Sequence, residues 1–368
     1  MTMISIAQPQ IGEEEIRAVN EVLESGMLAQ GPKVAQLEAD FAAYCGTKFA
    51  VAVNSGTAAI HAALYAAGVR EGDEVITVPF SFIATINPIL MLGAKPVLVD
   101  IDPRTYNMDV SKVEALITDK TKAILPVHLY GQPVDFARLN TIASARGIKI
   151  IEDACQAIGA EYDGRRAGSL GDMGCFSLYA TKNIMCGEGG MITTDDEDAA
   201  VAMRQFRQHG MSAQYEYMDI GYNYRMSDLH ACIAIEQLKK ADGFNATRQR
   251  NAILLNEGLK GLKGIELPIV ADTRTHVFHQ YTVRVTEDAD IDRAELASKL
   301  KENGIGAGIY YPKCLHMFPH IAKCGYATGD FPESERAASQ VLALPVHPMV
   351  SEADVKRIIE QIKLAMGV

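Results

Sequence analysis

What most constrains this chain is a repeated alternation, over its first two-thirds, of short apolar runs of strand length with longer helix-like segments. Residues 49–53 (Phe-Ala-Val-Ala-Val) are strand-like, and after the turn Asn54-Ser55-Gly56 residues 57–67 read as a helix stopped by Gly68. Residues 74–78, 96–99, 123–127 and 148–151 repeat the strand signal, and 83–92, 111–117 and 134–145 the helical one. A strand covered on both faces has no polar side to show, so it reads as a continuous apolar run. Such strands joined through helices predict an α/β fold with a mainly parallel sheet between two helical layers. Ligands on sheets of this kind bind beyond the carboxyl ends of the strands.

The pattern changes after this region. Residues 227–241 and 246–262 read as two long helices, 280–285 as a strand, and 292–303, 333–342 and 351–366 as helices. A length of 368 residues accommodates two domains. The expected division is a large domain over 1–245 and a smaller C-terminal α/β domain over 246–368.

Charge and cysteines exclude several classes. A net charge of -11 argues against a nucleic-acid binder, which would present a basic face. The seven cysteines include no CxxC pair, so neither a zinc site nor a disulfide framework is expected, and scattered thiols suit a reducing cytoplasm. The N-terminus lacks the basic and apolar regions of a signal peptide. No apolar run approaches the roughly 18 residues of a membrane span.

Three segments carry chemistry. Asn54-Ser55-Gly56-Thr57 stands at a strand-to-helix junction, where free N–H groups and the helix dipole attract an anion such as phosphate. It also reads as an ordinary Ser N-cap. Glu152-Asp153 closes a strand, where a carboxylate can hold a cationic ring nitrogen or simply cap a turn. No histidine at ligand spacing accompanies it, so no metal is expected. Lys182 precedes the glycine-rich turn Gly187-Glu188-Gly189-Gly190, where a buried lysine of lowered pKa would be a nucleophile and a surface lysine would not. Together, a phosphate clamp, a ring-nitrogen partner and a reactive lysine are what pyridoxal 5'-phosphate requires.

In these segments the chain resembles the DegT/DnrJ/EryC1/StrS family of sugar aminotransferases, fold-type I pyridoxal-phosphate enzymes. The resemblance runs over nearly the whole chain. Its most specific parts are Asn54-Ser55-Gly56-Thr57-Ala58-Ala59, Val78-Pro79-Phe80-Ser81-Phe82, Glu152-Asp153-Ala154-Cys155-Gln156, Lys182-Asn183 with Glu188-Gly189-Gly190, and Gly221-Tyr222-Asn223-Tyr224-Arg225. By position in these motifs it implies that Lys182 carries the cofactor and moves the proton, and that Asp153 pairs with the ring nitrogen. Gln156 would bond the ring oxygen, Phe82 would stack on the ring, and Gly56, Thr57 and Ser177 would hold the phosphate. Asn223 would reach the phosphate of the other subunit in a homodimer with shared sites. Arg225 reads either as the partner of the amino donor's carboxylate or as an interface charge. His128, Tyr179, His209 and His316 read equally as sugar-pocket residues or as structural polar groups.

Some family members carry histidine in place of this lysine and are sugar dehydratases; Lys182 favours amino transfer. The family's His-Tyr-x-Pro stretch reads Tyr310-Tyr311-Pro312 here, a departure on the substrate side. The implied reaction moves an amino group from an amino acid, L-glutamate, to a nucleotide-linked keto-sugar. Glu188 before the paired glycines resembles members that aminate C4, so a 4-keto-6-deoxyhexose is the expected acceptor. The alternatives are a 3-keto-sugar, a keto-inositol, or a non-catalytic regulatory member of the fold.

Overall fold

The computed structural model describes residues 3–368. The apolar runs become strands of a seven-stranded sheet. They are β1 (Phe49–Val53), β2 (Glu74–Thr77), β3 (Lys95–Leu98), β4 (Thr121–Ile124) and β5 (Lys149–Asp153), then, past the hairpin of β6 (Glu161–Tyr162) and β7 (Arg165–Arg166), β8 (Met173–Ser177) and β9 (Gly190–Thr194). Their order is β1-β9-β8-β5-β4-β2-β3. The pairs from β3 across to β8 are parallel, and β9 runs antiparallel between β8 and β1. Every residue of β8 and β9 is buried, as expected for strands with helices on both faces.

β5 shows how strand geometry divides two adjacent acids. Successive side chains leave a strand on opposite faces. Glu152 turns into the core, fully buried, and accepts the N–H groups of Gly168, Leu170 and Gly171 at 2.7, 2.8 and 2.8 Å. His128 Nε2 lies 3.0 Å from Glu152 Oε2. Because His128 Nδ1 accepts the Val134 N–H, the imidazole proton sits on Nε2 and is donated to Glu152. Glu152 and His128 therefore fasten the 168–171 loop, and Asp153 alone faces the ligand edge.

The later helices differ from the sequence expectation. The two helices read at 227–241 and 246–262 are one helix, Asp228–Leu259, which passes unbroken through residue 245, the expected domain boundary. Gly243 costs such a helix about 1 kcal/mol relative to alanine. Burial of Leu238, Ala241, Asn245, Arg248 and Ala252 along one stripe outweighs that cost. The segment read as a helix over 333–342 divides instead: the helix Pro332–Gln340 ends where Val341–Leu344 turns into a strand. After the hairpin of β10 (Met211–Ala213) and β11 (Glu216–Tyr217), this strand, β14, belongs to a second, antiparallel sheet with β12 (Ile265–Glu266) and β13 (Tyr281–Val285). A separate core covers it, built from Leu255 and Leu259 of the long helix, Leu296, Leu300, Ile358 and Ile362, and joined by Ile4 from the N-terminal end.

Two buried histidines make stability depend on pH. His61 packs edge-on against Phe206 with its Nε2 unpartnered, and His276 stacks on Phe278. Burial lowers their pKa values to about 4 and about 3. The unfolded chain protonates them near pH 6.5. Between these values the unfolded state binds more protons, so stability falls as the pH falls. The expected loss from pH 7 to pH 5 is about 2 kcal/mol per histidine. Urea melts at the two pH values check it: His61→Phe should flatten the dependence, and an unchanged slope would refute this assignment.

Candidate active site

The strand register brings the sequence-distant motifs to one edge. Val53 pairs with Gly190, Gly190 with Ser177, and Asp153 with Cys175, two residues before Ser177 on β8. The carboxyl ends of β1, β5 and β8 and the start of β9 thus meet at one rim. There they border a cavity of about 500 Å³ whose wall includes Gly56, Thr57, Phe82, Asp153, Gln156, Ser177 and Lys182. Seven of the ten expected site residues converge on it.

At the first wall, the helix Gly56–Ala66 begins at the cavity. Ser55 caps it by accepting the Ala58 N–H at 3.1 Å. The capping reading of this serine and the anion reading of the turn are compatible, because the cap leaves the Gly56 and Thr57 N–H groups free of backbone acceptors among the described residues. A Cβ on Gly56 would lie 2.9 Å from Ser177 Cβ and 3.0 Å from Cys155 Sγ. One on Gly190 would lie 2.3 Å from the Ser55 carbonyl oxygen. Only glycine at both places lets the helix start press against β8 and β9, leaving a cradle of N–H groups beside the Ser177 hydroxyl.

At the second wall, Asp153 Oδ2 accepts from Thr85 Oγ1 at 2.7 Å, and Thr85 Oγ1 lies 2.8 Å from Ser81 Oγ. The Cys155 N–H adds a longer bond to Oδ1 at 3.3 Å. The carboxylate is 5% exposed, fixed by these donors, and has no ion-pair partner among the described residues. Gln156 is held at both ends of its amide: Oε1 accepts the Tyr130 N–H at 2.8 Å and Nε2 donates to the Tyr311 hydroxyl at 2.9 Å. Phe82 stands on the rim with 58% of its surface exposed, an aromatic face left open beside a polar cavity.

Lys182 lies on the loop between β8 and β9. That loop is tied across its base by Leu178 N–H to Gly189 O at 2.8 Å and Ala180 N–H to Gly187 O at 3.0 Å. The side chain is half-buried and makes no hydrogen bond or ion pair among the described residues. Burial lowers its pKa below the ordinary lysine value, while Cys155 and the Asp153 carboxylate pull it up. The surface-lysine reading fails on this geometry. A lysine of lowered pKa, a fixed carboxylate and an N–H cradle fit the donor and acceptor groups of pyridoxal 5'-phosphate. Among the described residues, no three metal-ligating side chains gather anywhere.

Three expected residues stand elsewhere. Asn223 is exposed and Arg225 half-buried on the segment beside the end of β1, outside this chain's own cavity, and neither side chain has a partner among the described residues. His316 is a correction: it is fully buried, packs against Phe331, and lies 3.1 Å from Glu335 Oε1, so it cannot face a substrate in the cavity. Of the other pocket candidates, Tyr179 lines the cavity, His128 is held by Glu152, and His209 is exposed on the Asn223 side. Sequence reasoning missed His279 and Gln280, which reach the wall from the lead into β13. Asn183 Nδ2 donates to Asn245 Oδ1 and Val277 O, so its Oδ1 accepts from His279 Nδ1 at 3.2 Å. Burial first, then Lys182 and Arg248, keep His279 neutral.

Comparison with known proteins gives a consistent account. The chain is 43% identical over 98% of its length to a pleiotropic regulatory protein of Geobacillus stearothermophilus, 97% of which is covered. It is 41% identical to the GDP-perosamine synthase of Caulobacter vibrioides, with 97% of this chain and 96% of that one covered. It is 39% identical to the UDP-2-acetamido-2-deoxy-3-oxo-D-glucuronate aminotransferase of Pseudomonas aeruginosa, with 95% of each covered. Among solved structures, S. venezuelae DesV in complex with a ketimine intermediate superposes with a TM-score of 0.93 at 38% identity, covering 97% of this chain and 95% of that one. The PLP-form of Spr1654 from Streptococcus pneumoniae gives 0.93 at 30% identity over 99% of both chains. A family model matches residues 9–363, and the chain belongs to the DegT/DnrJ/EryC1/StrS aminotransferase family, whose enzymes depend on pyridoxal phosphate.

Proposed function

We propose that this protein transfers the amino group of L-glutamate to the keto carbon of a nucleotide-linked 4-keto-6-deoxyhexose, releasing the 2-oxo acid and the amino-sugar nucleotide. The observation that carries the reading is Lys182, unpaired and of lowered pKa, on a cavity shared with the Asp153 carboxylate and the Gly56–Thr57 N–H cradle. Pyridoxal 5'-phosphate, when bound, supplies the electron sink that makes the carbon next to nitrogen acidic. Lys182 would hold the cofactor covalently and afterwards move a proton at Nζ. Asp153 Oδ2, its direction fixed by Thr85, would pair with the ring nitrogen. Gln156 would bond the ring oxygen, Phe82 would cover one ring face, and Gly56, Thr57 and Ser177 would hold the phosphate.

The regulatory alternative has a counterpart in the name of the 43%-identical relative. A chain kept only for binding needs no deprotonatable lysine beside a fixed carboxylate, and this chain retains both. We assign it to the cytoplasm; all seven of its cysteines are free, and among the described residues no helix is long and apolar enough to cross a membrane.

Acceptor choice rests on Glu188, an exposed side chain on the cavity wall. The test is a panel of nucleotide keto-sugars and keto-inositols with glutamate, read by mass spectrometry and product NMR. Nitrogen is expected at C4. Nitrogen at C3, or turnover only with a keto-inositol, would overturn the choice of acceptor.

The active unit is a homodimer with shared sites. Asn223 and Arg225 lie outside this chain's own cavity, beside a hairpin region that exposes Tyr215, Tyr217, Met218 and Ile220 by 61–75%. An apolar patch of this kind is suited to a partner surface, and two-fold dimers are the commonest assembly. Lys182→Ala and Asn223→Ala should each be severely impaired. Mixed and exchanged, they should recover activity through heterodimers that hold one intact site. No recovery after verified subunit exchange would exclude a site built across the interface.

A further inference from the structure

Beside the cavity, and sharing Thr181, His279, Gln280 and Tyr310 with it, lies a recess of about 30 Å³. That space exceeds the minimum for one water and suits a group the size of a carboxylate. Among the described residues Arg248 is its only charged lining residue, set among apolar neighbours that include Ile6, Leu344 and Val346. Arg248 is 5% exposed, and its Nη1 donates to the carbonyls of Phe278 and His279 at 3.1 and 3.3 Å. Its Nε has no hydrogen-bond partner, and no carboxylate pairs with it among the described residues. Burial lowers its pKa only to about 10, so the guanidinium stays charged at neutral pH. The Gln280 amide makes no hydrogen bond at either end among the described residues, so it can turn its NH2 toward the recess at no cost in hydrogen bonds.

A buried cation without a counter-ion is costly to a fold. Here the Arg248 side chain lines a recess that shares four wall residues with the cavity of the reactive lysine, so an anion brought by a substrate would meet a desolvated cation held in place by two carbonyls. A donor whose α-carbon sits at Lys182 keeps its α-carboxylate in the main cavity, and a second carboxylate farther along the molecule can enter the recess. We propose that Arg248, with Gln280, forms the subsite for the distal carboxylate of a dicarboxylic amino donor and so sets the choice of donor. This rests on the aminotransferase reading above and deepens it.

The test uses the cofactor-loaded protein and its Arg248→Met variant, with folding checked by circular dichroism. Glutarate, an unreactive dicarboxylate, is titrated calorimetrically against butyrate and chloride. Wild type should bind glutarate at least about tenfold more tightly than butyrate or chloride, and Arg248→Met should lose at least about tenfold of that affinity. In half-transamination, the ratio of kcat/KM for L-glutamate to that for L-alanine should fall by at least about tenfold in the variant. Glutarate affinity and donor ratio both unchanged in a folded variant would overturn the proposal, as would chloride binding as tightly as glutarate. If Arg248→Met does not fold, Gln280→Leu carries the same comparisons, with a loss of about threefold expected for a neutral donor and no loss refuting the subsite. Wild type that converts no amino donor would overturn the function itself, and this inference with it; wild type that converts glutamate while the variant matches it would overturn this inference alone.

Discussion

Lys182→Ala is expected to lower amino transfer by about 10⁴-fold, because one substitution removes both the covalent hold on the cofactor and the group that moves the proton. The fold should persist. Nζ makes no hydrogen bond or ion pair among the described residues, and burial opposes its charge, so little stabilising contact is lost. In the wild type, borohydride reduction should fix a pyridoxyl group on the peptide containing Lys182. The chain has no tryptophan, so the visible band of the bound cofactor is the convenient probe. Label on a different lysine, or a Lys182→Ala variant with wild-type turnover, would sink the assignment.

Asp153→Asn should cost about 10³-fold in the rate of the half-reaction, comparable to removing a preorganised electrostatic group from a buried site. The amide is nearly isosteric and can still accept from Thr85 Oγ1, so packing should survive while the negative charge opposite the ring nitrogen is lost. Thr85→Val should produce a smaller defect of the same kind, about tenfold, since it removes the hydroxyl that aims Oδ2 but leaves the charge. Stopped-flow absorbance with L-glutamate measures both. Equal rates for Asp153→Asn and wild type would show that the carboxylate is structural.

Legibility followed the range of the forces involved. The strand β1 was read to the residue, β2, β3 and β5 to within two and β4 to within three, because a doubly covered strand must be apolar and that requirement is local. The long helix Asp228–Leu259 was misread as two because Asp242-Gly243 is a local stop signal, and the opposing force is burial along a stripe whose partners lie far away in sequence. β14 was misread for the same reason: Val341–Leu344 is too short to declare itself, and its pairing with β13 makes it a strand. In the site, Gly56, Lys182 and Asp153 were visible because each stands in a local motif with its own chemistry. Nothing local marks His279, which acquires its place from Asn183 and Asn245. His316 lay within the reach of the family resemblance, but its burial against Phe331 and Glu335 is a matter of packing.

The sequence by itself determined the fold class, the cofactor chemistry and the residue types that serve it, since strand periodicity, helix starts and motif spacing are properties of neighbours along the chain. The family resemblance already set Asp153 toward the ring nitrogen; the tertiary structure supplied the reason, strand alternation that turns Glu152 into the core, and decided how closely the helix start can approach β8. It alone left a buried cation, Arg248, without a counter-ion beside the cavity among the described residues. Those outcomes depend on strand register, on Cβ-sized clearances and on the exclusion of water, which arise only when segments separated by tens to hundreds of residues are packed against one another.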